Sequence, residues 1–267
     1  MTDKPVWRIL PWRTDDAYTC MAIDKVIAES VAAGGSPTLR FYRWAGNGAV
    51  SYGASQNIAD VAVDFCREQG VSHVRRFTEA RTMYHGPTDL TYAMAVPVSL
   101  YGNRARIGAV ISLNIIYFLR QLELHEITHS GFTSILIHGR KISGSVPYFE
   151  QRKALFQHGS IFCDLDYNFV AQMYGLSKEN LRETTTSIRE ESREIEGIDA
   201  LFQHSFLRGI DFKLDALTEQ EQERISTLKE AFATEAWLSG GEISRGACST
   251  HAGLPIPGFV TRILANK

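Results

Sequence analysis

The amino-acid sequence predicts an α/β (α+β) fold, a mixed β-sheet flanked by helices and followed by a small, mainly helical C-terminal part. Three observations carry that prediction. Residues 15–32 and 104–122 space their apolar side chains at three- and four-residue steps, the period of a helix buried along one face. Short alternating runs bounded by glycine and proline, such as residues 39–44, have the two-residue period of a half-buried strand. Beyond about residue 168 helical patterning dominates. Interleaved strands and helices of this kind fit a sheet with helices layered against it.

In chain order, the first helix carries Cys20, Ile23, Ile27 and Val31 on one face and stops at Gly34, Gly35 and Pro37. The strand at 39–44 passes through the turn Gly46-Asn47-Gly48 into a second strand at 49–52. A short helix is expected over 61–68, ended by Gly70, and then a strand over 71–76. That strand delivers the loop RRFTEARTMYHG, residues 75–86, and residues 90–96 form the strand that leaves it. The 104–122 helix has a single stripe of Ile107, Val110, Ile111, Ile115, Phe118, Leu119 and Leu122. Residues 134–146 read as a hairpin turning at His138-Gly139, and 160–166 as a strand opened by His158-Gly159. Thr218 and Glu221 make a capping box ahead of a helix with Ile225, Leu228 and Phe232 on one face. The expected division is one domain over 1–240, mainly helical from about 168, with 241–267 a loosely attached tail.

Composition bounds the function. The chain has 267 residues, a formal net charge of −2 and 22% charged residues, so no broad basic field points to nucleic acid or an anionic membrane. The N-terminus lacks the apolar core of a signal peptide, and no apolar run is long enough to span a bilayer. Cys20, Cys66, Cys163 and Cys248 are scattered without metal-type spacing, which suits buried free thiols in a reducing compartment. A cytoplasmic protein is expected.

Four constellations bear chemistry. Arg75 and Arg76 at a strand end, followed by Thr78, Arg81, Tyr84 and His85, are suited to holding an anion through charge-assisted hydrogen bonds. The same spacing also suits an ordinary basic surface loop. HGRKISGS, residues 138–145, places Lys141 just past a tight turn, with Gly144 leaving room for a ligand to approach the backbone. A lysine so placed can offset charge on a phosphate or carboxylate, or be merely solvated. QHGSIFCDLD, residues 157–166, sets His158 where it can face the same cleft or serve structure alone. HEITH, residues 125–129, matches the H-E-x-x-H zinc pattern, but only a helix would bring its histidines to one metal. Thr128, Ser130 and Gly131 point to a loop or strand there, and Phe132 stands where the longer zinc pattern has glycine. No metal ligands are assigned, and a zinc hydrolase stays the last alternative.

The order and wording of these blocks resemble the lipoate–protein ligase and octanoyltransferase family. WR near the start, MAIDKVIAE, LRFYRW, RRFTEARTMYHG, GRKISGS and QHGSIFCDLD carry the resemblance from about Trp7 to Asp166, and it runs on more loosely to EAW at 235–237. The resemblance implies a biotin/lipoyl protein ligase-like catalytic domain. Ligases of that family activate lipoate with ATP and magnesium and transfer the acyl group to a lysine of a lipoyl domain. Octanoyltransferases move an octanoyl group from a carrier instead. Lys141 would be the catalytic lysine, polarising the acyl carbonyl. Arg76 would contact the nucleotide, and Arg81, Thr82, Met83 and Tyr84 would line the acyl and adenylate pocket. His85, Gly144, Ser145, His158 and Gly159 would complete it.

Three departures accompany the resemblance. Glu79, Ala80 and Arg81 stand where the family's loop has consecutive glycines. The segment 131–134, GFTS, replaces the Asn-Asp pair that in ligases helps to hold nucleotide and metal. No cysteine lies between Cys66 and Cys163, where octanoyltransferases of the cysteine type carry their nucleophile. The chain is also too short for the second domain of two-domain ligases, so a separate accessory chain is one way to supply it. The leading expectation is ATP-dependent attachment of lipoate or a related acid to a lipoyl-type carrier domain. The acceptor would be a 2-oxoacid dehydrogenase acyltransferase subunit or a protein of the glycine-cleavage H type. The alternatives are octanoyl transfer without a cysteine intermediate, and a non-catalytic protein that binds a lipoyl domain or a small acid.

Overall fold

The computed structural model describes residues 4–58, 62–131, 133–192 and 196–240. The expected tail at 241–267 and Phe132 of the zinc comparison lie outside the described residues. A nine-stranded mixed sheet forms the frame. Its strands are β1 (Trp7–Ile9), β2 (Arg13–Asp15), β3 (Thr38–Trp44), β7 (Leu90–Pro97), β8 (Ile127–Ser130), β9 (Ser134–Ile137), β10 (Arg140–Glu150), β11 (Ala154–Ile161) and β12 (Phe212–Leu214). They run β12-β1-β3-β7-β11-β10-β9-β8, with β2 paired to β3. A second sheet of three short strands, in the order β5 (Ser72–Arg75), β4 (Ala49–Tyr52), β6 (Met83–His85), carries the 75–86 loop.

Helices cover both faces of the large sheet. On one face α4 (Arg104–Gln121) and α8 (Ile198–Leu207) bury Ile107, Ile111, Phe118, Phe202 and Phe206 against Phe41, Tyr92, Leu155, Ile135 and Ile137. On the other face α1 (Ala17–Ala32) and α9 (Glu219–Phe232) pack on Tyr42, Trp44, Ala93, Ala95 and Phe156. A third cluster sits under the small sheet, where α2 (Val63–Glu68) and α5 (Tyr167–Tyr174) enclose Val50, Tyr52 and Tyr84. The helices after residue 168 are thus layered onto the sheet: α8 joins the α4 core and α9 the α1 core. Arg8 of β1 makes two charge-assisted bonds to Glu221, at 2.7 and 2.6 Å, and ties α9 to the sheet edge.

The capped helices follow their sequence signals. Asp16 accepts from the N–H groups of Tyr18 and Thr19 to start α1, and Thr218 with Glu221 closes the expected capping box of α9. The hairpin turns at His138-Gly139 as read. Two readings need correction. The strand placed over 160–166 is β11, which begins at Ala154 and ends at Ile161; His158 and Gly159 therefore lie inside it, hydrogen-bonded in register to β10 and β7 on either side. The run Ala-Leu-Phe-Gln has no turn residue before it, so the paired partners, not punctuation, set its start. HEITH is not helical: Glu126 has φ 51° and β8 begins at Ile127, so its two histidines do not share a helix face.

Arg75 was read as half of an anion-holding pair and serves the fold instead. Its guanidinium is buried and donates to the carbonyls of Gly53, Ala54, Gln56, Trp237 and Leu238. The Trp237 indole donates back to the Arg75 carbonyl at 2.9 Å, so the last described helix, α10 (Glu235–Leu238), is locked to the base of the ligand loop. Replacing Arg75 by alanine leaves several buried carbonyls without donors. Arg75→Ala is expected to cost about 3 kcal/mol or more, read as a lower urea midpoint at unchanged slope.

Candidate active site

The small sheet faces the α1 side of the large one, and the candidate site forms where they meet. In β6, Met83 and His85 pair with Ser51 and Ala49 of β4, and alternate residues share a face. That face carries Ser51, Met83 and His85 toward the large sheet, while Tyr84 packs on Phe169 in the third cluster. Opposite them, β10 and β11 present Lys141, Gly144, His158 and Ser160.

Lys141 is the centre of this arrangement. Its Nζ lies over Gly144: a Cβ there would come within 2.8 Å of it, and the Met83 methyl stands 3.7 Å from the same point. Among the described residues no carboxylate pairs with Lys141. Burial holds its ammonium below the ordinary lysine value, and the Arg76 charge pushes in the same direction. Gly144 thus leaves room for the lysine head itself.

Arg76 is buried and shapes the loop. Its guanidinium donates to Ser51 Oγ at 2.6 Å and to the carbonyls of Glu79 and Arg81 at 3.2 and 3.0 Å, and burial depresses its pKa to about 10. Its buried Nε finds no hydrogen-bond partner. The turn it holds keeps a glycine-like backbone, since Ala80 has φ 85°. The turn is tight: a Cβ on Gly53 would lie 2.0 Å from the Ala80 carbonyl oxygen. Glu79 turns its carboxylate onto Ser55, which donates through Oγ at 2.8 Å. Arg81 is exposed, and Thr82 accepts from Gln56 at 2.6 Å while its carbonyl accepts from Tyr174.

Both histidines stand in buried networks behind the lysine. His158 Nδ1 meets Asp24 Oδ2 at 2.8 Å and its Nε2 meets Thr78 Oγ1 at 2.9 Å. A carboxylate only accepts, so Nδ1 carries the proton and Nε2 accepts from the Thr78 hydroxyl. Asp24 also accepts from Arg40 at 2.9 Å and from Tyr42 at 3.0 Å. His85 stacks on Trp44 and bridges Ser51 at 2.7 Å and Ser160 at 2.9 Å. Ser160 continues to Thr91, which accepts from the Trp44 indole.

The structure therefore gathers Lys141, Gly144, Met83 and Arg76 at one place, with His85 and His158 as buried support and Arg81 and Thr82 on the adjoining loop. It turns three expected residues away. Ser145 lies on the opposite sheet face, bonded to Thr133 and Gln157. Gly159 is tight on that same face, where a Cβ would meet the Gly144 carbonyl and the Tyr92 hydroxyl. Tyr84 faces the third cluster, with its hydroxyl on the Asn47 carbonyl. The sequence reading missed Asp24, Ser51 and Ser160, and had Thr78 only as part of the anion-holding loop. Asp24 left a signal: it lies four residues after Cys20 and three before Ile27, inside an apolar stripe, where a carboxylate requires partners.

Together these features place one lysine, free of acidic partners among the described residues, beside Arg76 and Gly144 where the two sheets meet. The sequence model of the lipoyl protein ligase A/B catalytic domain matches residues 16–205, and the chain belongs to that family of ligases and acyltransferases. It is 26% identical to the octanoyltransferase LipM of Staphylococcus epidermidis, covering 87% of this chain and 98% of that one. Identity to the LipM of Symbiobacterium thermophilum is 28%, over 86% and 97%. The fold matches that of a bipartite lipoate protein ligase from Thermoplasma acidophilum, described with its E2 lipoyl domain. The TM-score there is 0.76 at 20% identity, covering 89% of this chain and 97% of that chain. A lipoate-protein ligase A bound with ATP gives TM-score 0.76 at 22% identity, covering 88% and 99%. No helix among the described residues is long and apolar enough to cross a membrane.

Two predictions follow from the loop and the buried imidazoles. Ala80→Gly removes a left-handed alanine costing about 1–2 kcal/mol but adds about 0.4–1 kcal/mol of unfolded-chain entropy. A net gain of about 0.5–1 kcal/mol in urea unfolding is expected. His85 is held well below the ordinary imidazole value of 6.5, by burial first and then by Arg76 and His158. The unfolded chain takes up that proton as pH drops below about 6.5 while the folded one resists it. The stability His85 contributes is complete above that pH and is lost on acidification, so His85→Gln should flatten the decline in urea midpoint between pH 8 and pH 5.

Proposed function

We propose that this protein transfers an octanoyl group from a carrier thioester to a lysine of a lipoyl-type domain. The observation that carries the reading is the Lys141 head, half-buried over Gly144 with Arg76 near it and no carboxylate partner among the described residues. In acyl transfer the attacked carbonyl becomes an oxyanion, and an unpaired cation in a partly desolvated site stabilises that charge more than it does the ground state. Arg76 keeps the loop fixed, so little reorganisation is required when charge develops. The acceptor lysine attacks as a neutral amine and must shed a proton on the way.

Octanoyl transfer is preferred here to the ATP-dependent ligase expected from the sequence. Its support is the match to octanoyltransferases over almost their whole length. Side chains at Glu79 and Arg81 in the turn, and GFTS at 131–134 in place of the Asn-Asp pair of ligases, count against a nucleotide site. Lipoate or octanoate with ATP and magnesium is therefore the second reading, and the accessory chain considered above belongs to it.

The test is mass spectrometry of a lipoyl-domain acceptor incubated with octanoyl-loaded acyl carrier protein. A parallel reaction contains free lipoate or octanoate with ATP and magnesium. An acceptor gain of one octanoyl group from the carrier, without ATP, is expected. Lys141→Ala should lower its rate by about 100-fold or more. Gain only with free acid and ATP would establish the ligase, and no gain from either donor would leave a binding protein.

A further inference from the structure

One edge of the large sheet, on the side away from Lys141, has the features of a pairing surface. β12 ends that sheet, and among the described residues only β1 lies beside it. All three of its side chains are exposed. The Asp211 carbonyl accepts from Trp7 and the Asp215 N–H donates to Ile9, so the odd-numbered residues of this stretch bond to β1. Backbone groups alternate along a strand, which points the N–H and C=O of both Phe212 and Leu214 to the open side. Such an edge is a template for another strand unless charge, proline or a bulge blocks it.

The one charge on the strand does not block it, because Lys213 lies 3.0 Å from Asp215 and is neutralised there. Phe212 and Leu214 stand in register with Trp7 and Ile9, whose side chains belong to the α4-side core. At 45% and 67% exposure they extend past that core without being covered. Val6, 49% exposed, stands at the entry to β1. Three of the four exposed large apolar side chains among the described residues, the other being Leu113, therefore fall at this edge.

Two-fold symmetry discriminates between registers. Centred on Lys213, antiparallel pairing would set lysine against lysine, through backbone groups already directed to β1. Centred on Phe212, it would require residues 209–211 to follow the edge, whereas Gly209 turns there with φ 73° and Ile210 packs back on the α4-side core. Centred on Leu214, it joins Leu214 to itself through the outward backbone groups and sets each Lys213 opposite the partner's Asp215. We propose that β12 pairs antiparallel with β12 of a second copy of this chain, about a two-fold axis at Leu214. The charges then alternate across the seam, and the apolar pair lies on one face. The surface is short, so association is reversible, with a dissociation constant on the order of 10 μM. The edge lies five strand spacings, roughly 24 Å, from β10, and both Lys141 sites stay open in the pair.

The experiment is sedimentation of the full chain from about 1 μM to about 1 mM, a range that brackets that constant. The mass is expected to rise from the 29.9 kDa of one chain toward twice that value. Leu214→Lys should stay monomeric throughout, with its urea midpoint and any acyl transfer as in the wild type, since the side chain is exposed and far from the site. Lys213→Glu should weaken association by about tenfold or more, because symmetry repeats each like-charge contact twice. Register is read by mild oxidation: Leu214→Cys should give a 214–214 disulfide located by peptide mapping, and Phe212→Cys none. A single-chain mass at every concentration, association of Leu214→Lys equal to wild type, or a 212–212 link overturns the proposal. None of these outcomes bears on acyl transfer.

Discussion

The site depends on one buried carboxylate. Asp24 is wholly excluded from solvent in the middle of α1, yet it binds Arg40 and Tyr42 of β3 and His158 of β11. Stripped of those partners, a carboxylate at that depth would cost several kcal/mol, on the order that makes buried charges rare. Helix α1 can therefore occupy its place on the sheet only when β3 and β11 present these three groups together. Through His158 the constraint reaches Thr78, and so the 75–86 turn is fixed to the sheet by a polar chain instead of by packing alone. Specificity of position, more than stability, is what such an arrangement supplies.

The loop shows how a backbone shape outlasts its residues. Glu79, Ala80 and Arg81 stand in a turn that the family's loop builds with glycine. Ala80 nevertheless holds a left-handed φ, Arg76 draws in the carbonyls on both sides of it, and Glu79 is turned onto Ser55. The cost of the alanine is local and small beside the buried guanidinium that enforces the turn. The guanidinium of Arg76 donates to Ser51 and to the Glu79 and Arg81 carbonyls, a structural role that comes with electrostatic reach to Lys141.

Much of the frame was legible in the sequence where one signal decided the outcome. The α1 and α4 stripes, the Thr218 capping box and the His138-Gly139 turn each depend on neighbours in the chain. What failed to read depended on distant partners. β1 and β12 are three residues each and exist because they pair with one another across some two hundred positions. β11 begins at Ala154, before any local cue, because β7 and β10 flank it on both sides. Arg75 and Arg76 are adjacent and chemically alike, yet strand alternation sends one to the carbonyls of Gly53, Ala54, Gln56, Trp237 and Leu238 and the other to the site. Ser145 and Gly159 followed the motif but fell on the wrong side of the pleat, a one-residue distinction that spacing alone does not register.

The same alternation explains what the site can do. Two cations, Arg76 and Lys141, are brought near each other in a partly desolvated space, and the Arg76 charge adds to burial in lowering the hold of Lys141 on its proton. Arg76 offsets its burial with Ser51 and two carbonyls. Among the described residues Lys141 has no comparable compensation, so its environment is least costly either when the amine is neutral or when negative charge arrives beside it. The proposed acyl transfer supplies the second condition, an oxyanion arriving beside the ammonium. An acidic partner next to Lys141 would stabilise the resting ammonium and forfeit both states. On the transfer reading proposed above, the unpaired lysine is the feature that makes this face of the sheet reactive instead of merely polar.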